Sequence, residues 1–354
     1  MGIEFFRNYR VSYLEDRAIF STFQNLWTKL WLIAFVIAFL LPPVFLEQYW
    51  LYTLNLAIIA VIGALGLNLL TGYNGQISLA QASFLAIGAY ATAIMGKAGV
   101  PFFLVIPLAG IIAAIAGCVI AIPALRLKGL YLALATLAFS VIIDFAIRKA
   151  EFLTGGGMGT HVPLPTAFGL ELRGDGGFYY LVLCLAVCAG LFIKNLERSS
   201  IGRALMAVRD SDTAAEMAGI SIFRTKLVAF ALSSFYGGVA GSLLGYYLQF
   251  INPDNFGLSV SVAYIAMIIV GGLGTVLGSV LGALFMTFLP EAVRVGVHSL
   301  SAVLPAFDVQ AKGAFVEGGV YGLVIVLFLM FKPEGLARFW RDIVTYFRSW
   351  PFTY

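Results

Sequence analysis

Charge is what this chain lacks. Residues 48–96 hold no Lys, Arg, Asp or Glu, and neither do 98–125, 129–143, 227–253 and 255–290. Soluble domains carry about a quarter charged residues. Here the share is 11%, against 61% hydrophobic. Runs of that length exclude water as the surrounding medium. A bilayer core about 30 Å thick requires them, because a helix rising 1.5 Å per residue needs roughly 20 apolar residues to cross it. Alternation over about ten residues is missing as well, which excludes barrel strands. What remains is an all-α, polytopic integral membrane protein whose main partner is the lipid bilayer.

Other scarcities narrow the function. The three cysteines, Cys118, Cys184 and Cys188, lie inside apolar runs and read as buried small hydrophobes. The two histidines, His161 and His298, have no neighbouring Cys or His, so no metal site is expected. No G-x-x-x-x-G-K-[ST] motif occurs, so no nucleotide is bound by that device. Thr154-Gly155-Gly156-Gly157-Met158-Gly159 lacks the lysine and reads as a flexible turn. No Ser/His/Asp set or paired carboxylates stand at catalytic spacing, so no catalytic residue is expected. Asp144 is the only carboxylate well inside a run, and Arg148 one turn on reads as its local partner. Few buried acids count against an ion-driven carrier. The net charge of +4 comes with basic residues in loops and implies no nucleic acid.

What is present are about ten apolar segments, transmembrane or half-membrane. They lie near 30–46, 51–71, 77–96, 101–123, 129–147, 178–194, 227–248, 256–271, 275–290 and 317–331. The eighth and ninth meet at Gly271-Gly272-Leu273-Gly274 and read either as two tight spans or as one re-entrant pair. Alternation from a cytoplasmic N-terminus places sixteen of the 22 Lys and Arg inside, which predicts both termini in the cytoplasm. The organisation is then a cytoplasmic segment 1–29, a membrane domain 30–331 with a cytoplasmic loop 194–226, and a cytoplasmic tail 332–354.

Three stretches carry polarity or flexibility into this frame. In Gly72–Phe84, neutral polar side chains enter a span. If that stretch is helical, Asn74, Ser78 and Gln81 share one face, and Gln76 and Ser83 the opposite one. They are candidates for a solute path, with helix–helix hydrogen bonding as the plainer reading. Gly72 and Gly75 weaken the helix start there. The second stretch holds Gly271, Gly272 and Gly274, with Gly278 and Gly282 as a tight-packing pair. Two glycine-interrupted stretches in two halves hint at repeats with broken segments near a path. The third is the loop 194–226. Thr213 and Glu216 have capping-box spacing and Gly219 suits a helix stop. That predicts a short amphipathic helix with Arg209, Asp212 and Glu216 on one face, suited to a groove on another protein.

That third stretch resembles a known family. Arg203 through Gly219, continuing to Lys226-Leu227-Val228-Ala229-Phe230 and Gly237-Gly238-Val239-Ala240-Gly241, is similar to the coupling segment of branched-chain amino acid ABC importer permeases, LivM-type above all. Gly72–Tyr90, Arg126–Ala133, Leu153–Gly156 and Gly271–Gly282 agree, so the resemblance covers roughly residues 50–335. It implies an ABC importer permease fold in a bacterial inner membrane. It also implies a coupling role for Arg203, Arg209, Asp210, Asp212, Glu216 and Gly219. Two departures stand out: Asp210-Ser211 where relatives often have Glu-Asn, and no Glu near Ser140–Arg148. The implied partners are a shorter LivH-type permease, two cytoplasmic ATPases that bind ATP-Mg, and an external solute-binding protein. This chain itself binds no cofactor on that reading. The implied cargo is a branched-chain amino acid or similar small neutral or zwitterionic solute. Urea and short amides are the alternative cargo, and a stand-alone carrier or channel the alternative class.

Overall fold

The computed structural model describes residues 42–303 apart from 125–126, 128, 168–169 and 172–174, a few positions between 319 and 330, and 335–349. The expected first span 30–46 and last span 317–331 lie largely outside the described residues. The chain divides into two units, 1–51 and 52–354. In the first, Pro42–Phe45 form one helical turn.

The uncharged runs become helices. They are α1 (Gln48–Asn68), α2 (Gln81–Lys97), α3 (Phe102–Ala124), α4 (Leu130–Lys149) and α5 (Asp175–Arg198). Two short helices follow, α6 (Ser200–Asp210) and α7 (Asp212–Met217). Then come α8 (Ile222–Leu248), α9 (Leu258–Gly271), α10 (Val276–Val303) and the tail helix α11 (Gly335–Ser349). Among the described residues, seven helical stretches are long and apolar enough to cross a membrane, and they coincide with seven of the predicted segments. The stretch 77–96 forms only the 17-residue α2, because its first residues do not join the helix.

Small residues set the packing. A band along α8 (Ser233, Ser234, Gly237, Gly238, Gly241, Ser242) receives α1, α2 and α3. A Cβ on Gly88 of α2 would collide with the Gly238 carbonyl, and one on Gly238 would meet Ala109 O of α3 at 2.8 Å. Thr92 Oγ1 donates to Ser242 Oγ at 2.7 Å across the α2–α8 contact. Backbones this close gain dispersion contact that lipid tails do not supply. The outer helices α3, α4 and α5 instead expose Ile115, Val119, Ile142, Phe145 and Leu191, as helices solvated by lipid do.

Contacts sort the loops to two ends. At one end, Arg148 of α4 binds Asp144 at 2.9 Å, as the spacing predicts, and also Asp254 at 2.8 Å. Beside it β1 (Thr160–His161) pairs antiparallel with β4 (Phe250–Ile251), Lys97 Nζ donates to Thr160 Oγ1, and the small hairpin of β2 (Thr166–Ala167) and β3 (Leu170–Glu171) follows in the same loop. Thr154 ends a helical turn, Glu151–Thr154, and its hydroxyl donates to Ala150 O at 2.8 Å, while Gly155–Gly159 turn after it with Gly155, Gly156 and Gly159 at positive φ. At the opposite end lie α6, α7, Gly72–Gln76 and the turn Gly271–Gly274. The chain therefore enters α9 at the Arg148 end and leaves it at the other, so α9 and α10 are two spans and not a re-entrant pair. Gly278 and Gly282 pack against Gly271 as expected, with Gly271 Cα 2.8 Å from a Cβ on Gly282. Cys184 and Cys188 differ from expectation. Both are exposed, on the rim of an apolar crevice of about 810 Å³ between α3, α5 and α8 lined by Ile106, Phe192 and Tyr236.

Candidate functional site: a junction of broken spans and a surface helix pair

The polar stretch after α1 is not one helix. α1 passes into a π-turn, Leu69–Tyr73, and ends at Gly75 with φ +72°, a conformation that favours glycine. Residues 75–80 then run without helical structure until α2 begins at Gln81. The cause is local. Thr71 Oγ1 donates to Gln76 O at 3.0 Å and Ser78 Oγ accepts from Ala80 N at 3.3 Å, so side chains occupy groups a helix would pair. The expected shared face of Asn74, Ser78 and Gln81 is therefore absent, as is that of Gln76 and Ser83. Gln81 Nε2 donates to Gly63 O at 3.0 Å. Gly63 lies ten residues before Tyr73, so α2 starts about 15 Å into the span.

All five candidate path residues are buried in this chain. Asn74 Nδ2 donates to Gln76 Oε1 at 2.9 Å and Ser83 Oγ to Ser140 Oγ of α4 at 2.8 Å. The backbone of the break is held by neighbours: Leu79 N donates to Thr136 Oγ1 and Ala82 N to Ser261 Oγ, both at 2.9 Å. Irregular backbone at this depth persists because other spans satisfy it. Asn74 Oδ1, Gln81 Oε1 and Tyr73 OH are buried with no hydrogen-bond partner among the described residues. The break is thus packed yet retains spare acceptors.

The glycine stretches of the two halves meet. Asn68, 1% exposed, is the clamp. Its Nδ2 donates to Ser279 Oγ at 2.7 Å and Thr275 O at 2.9 Å, and its Oδ1 accepts from Gly274 N at 2.9 Å. A Cβ on Gly72 would overlap both Asn68 Oδ1 and Gly274 N. Nothing in the sequence singles out Asn68, because its partners lie more than 200 residues away.

The surface helix pair closes on that junction. The single helix expected over Arg203–Gly219 is broken at Ser211, whose extended backbone (φ −163°) ends α6 and whose hydroxyl caps α7 by accepting from Ala214 N at 3.3 Å. Ser211 takes the cap expected of Thr213. The break turns the expected face apart. Arg209 points inward and its Nη1 donates to Gly72 O at 2.8 Å, while its Nη1 lies 3.2 Å from a Cβ on Gly274. Its Nε reaches Asp210 Oδ1 at 3.3 Å. Asp212 turns to Lys226 of α8 at 3.1 Å, with side chains only 20% and 8% exposed. Arg203 donates to Arg198 O at the end of α5. Glu216 and Gly219 face outward, and Gly219 (φ +81°) ends the pair as expected. Met217, 90% exposed, and Phe223 form an apolar rim beside them.

The Asp212–Lys226 pair fixes α7 to α8. Removing one partner of a largely buried ion pair leaves an uncompensated charge. Asp212→Ala is therefore expected to destabilise by about 3 kcal/mol, with Lys226→Met in the same background recovering most of it. A thermal unfolding series in detergent reads both. An unchanged Tm for the single variant would remove the pair from this role.

Among the described residues no group of three His, Cys, Asp or Glu is placed to hold a metal ion. The geometry brings together an exposed helix pair, an inward arginine, and a broken span clamped to the turn between α9 and α10. Residues 49–329 match the family described as branched-chain amino acid transport system, permease component. The chain is 32% identical to the high-affinity branched-chain amino acid transport system permease protein LivM of Escherichia coli K12, over 88% of this chain and 76% of that one. It is 31% identical to LivM of Salmonella typhimurium over the same shares. A probable branched-chain amino acid transport permease protein LivM of Methanocaldococcus jannaschii is 26% identical over 66% of this chain and 67% of its own. No solved structure matches. By extent of match and identity alike, the chain belongs to the permease family of branched-chain amino acid transport systems.

Proposed function

We propose that this chain is one of two permeases in an ATP-driven importer, and that the junction at Arg209 delivers the ATPase stroke to the solute path. The observation that carries this reading is the 2.8 Å bond from Arg209 to Gly72 O, which joins a surface helix to a broken span. Glu216, Gly219, Met217 and Phe223 form the outward rim that a cleft on a cytoplasmic ATPase accepts. ATP-Mg stays on that partner, and this chain supplies no catalytic group. Both termini then lie in the cytoplasm, a LivH-type permease completes the membrane core, and a solute-binding protein delivers cargo at the Arg148 end.

The cargo is a branched-chain amino acid. Asn74 Oδ1, Gln81 Oε1 and Tyr73 OH, buried and unpartnered among the described residues, suit an ammonium or amide N–H once the break opens. Hydrogen-bond acceptors of this kind carry no net charge and match a zwitterion without trapping it. Urea and short amides present the same donors and are the competing outcome of a cargo screen.

The test is reconstitution. Uptake of labelled leucine, isoleucine or valine into proteoliposomes is expected only with the second permease, the ATPases, ATP and the binding protein all present. Glu216→Lys and Gly219→Pro are expected to abolish it and to weaken recovery of the ATPases on purification. Flux through this chain alone, driven by an ion gradient or the solute's own, would replace the importer with a stand-alone carrier or channel.

A further inference from the structure

The tail helix α11 is unlike every span. Its sequence, GLARFWRDIVTYFRS, places three arginines and one aspartate in 15 residues, so it has no run able to cross a bilayer. Its start is nevertheless fixed to the end of a span. Gly335 (φ +76°) packs on the α9–α10 turn, where a Cβ would stand 2.5 Å from Gly272 N, and Ala337 is 2% exposed. α11 thus begins at the same end of the membrane domain as Arg209.

The helix is split lengthwise. At about 100° per residue, Phe339, Ile343, Leu336 and Trp340 fall within an arc of about 100°. Arg338, Thr345 and Arg341 fall within an arc of about 60° on the opposite side. Phe339 and Trp340 are 50% and 53% exposed, and Arg338 and Arg341 are exposed as well. Water is a poor medium for the aromatic arc, and hydrocarbon is a poor one for the arginines. Only a boundary between the two suits both.

We infer that α11 lies in the membrane interface as a lipid-reading helix. Its Phe339–Trp340 arc sits at the headgroup–acyl boundary, and its arginine arc engages the phosphates of anionic phospholipid. Charge decides the occupant: the helix carries three arginines to one acid, which complements an anionic leaflet. Because Gly335 rests on the Gly271–Gly274 turn, that leaflet then holds α11 against the same turn that Asn68 grips.

The test uses the full chain in nanodiscs, with Cys118, Cys184 and Cys188 replaced by serine and a single cysteine at Phe339 carrying an environment-sensitive dye. A second variant, Thr345→Cys, places the dye on the opposite arc. The Phe339 dye is expected to shift to shorter wavelength, to be quenched most by shallow spin-labelled lipid, and to lose at least about threefold of its access to iodide in phosphatidylglycerol discs compared with the Thr345 dye. Arg338→Gln with Arg341→Gln is expected to reduce the phosphatidylglycerol preference over phosphatidylcholine. Equal iodide access at both sites would place the helix in water and overturn the inference. Shielding of the Phe339 dye that arises only when the second permease or the ATPases are added would overturn it in favour of a protein interface.

Discussion

Replacing Arg209 with alanine is expected to lower ATP-driven uptake at least about tenfold while the complex still assembles and still hydrolyses ATP. The residue faces away from the proposed docking rim. Its guanidinium donates to Gly72 O, and its stem packs on Gly75, whose added Cβ would meet Arg209 Cγ at 2.9 Å. A hydrogen bond from a charged donor contributes about 1.5–3 kcal/mol. If that energy is expressed in the step that moves the broken span, its loss is about ten- to hundredfold in rate. Stability changes less, because Arg209 is 44% exposed and water replaces the lost bond. Lysine at this position is expected to recover only part of the uptake, since one ammonium does not reach Gly72 O and Asp210 together as the planar fork does. The measurement is uptake and ATPase activity side by side in proteoliposomes. Wild-type uptake in the alanine variant would sever the junction from transport. Loss of bound ATPases would mean that Arg209 belongs to the docking surface instead.

The spans were legible because membrane crossing is an average property. Any run of the right length and low charge forms a helix there, whatever its neighbours, and so the seven long segments fell where the charge-free runs put them. The Asp144–Arg148 pair was legible for the same reason: its partners are one turn apart on one helix. Asp254, the third member, was not, since 106 residues separate it from Arg148. The break after Tyr73 was half legible. Gly72, Gly75 and the polar side chains announced a weak helix, but periodicity assumes a helix before it sorts faces. It has no means of seeing Thr71 and Ser78 claim the backbone for themselves. The docking helix failed similarly. Ser211 and Thr213 are both acceptable caps by type, and only the chain's turn toward Lys226 chose between them. That choice rotated Arg209 and Asp212 inward and left Glu216 outside, which divides a stretch that resemblance treats as one surface. Asn68 was wholly illegible: one more amide in an apolar run, made important by a backbone that returns to it after two hundred residues.

Gly88→Leu is expected to prevent recovery of folded protein altogether, with Gly88→Ala already lowering Tm. The added Cβ would overlap the Gly238 carbonyl oxygen and lie 2.7 Å from its carbon and from Gly238 Cα. Those atoms are helix backbone with Ala109, Gly110 and Ala113 of α3 behind them, so they have nowhere to retreat. Side-chain overpacking alone costs about 1–3 kcal/mol. Here the strain falls on three helices at once. Separating α2 from α8 also breaks the Thr92–Ser242 bond and opens the contact of Gly241 with Leu85. A domain holds only about 5–15 kcal/mol of stability in total, and a breach at so closely packed a crossing consumes much of it. Gly157→Ala is the control: that glycine is exposed, with nothing within 4 Å of an added Cβ, and the change is expected to be neutral. Size-exclusion profiles and thermal shifts in detergent compare the variants. A monodisperse Gly88→Leu protein with wild-type Tm would mean that α2 and α8 do not touch at this level, and that the start of α2, with the candidate path residues Gln81 and Ser83, is held by something other than α8.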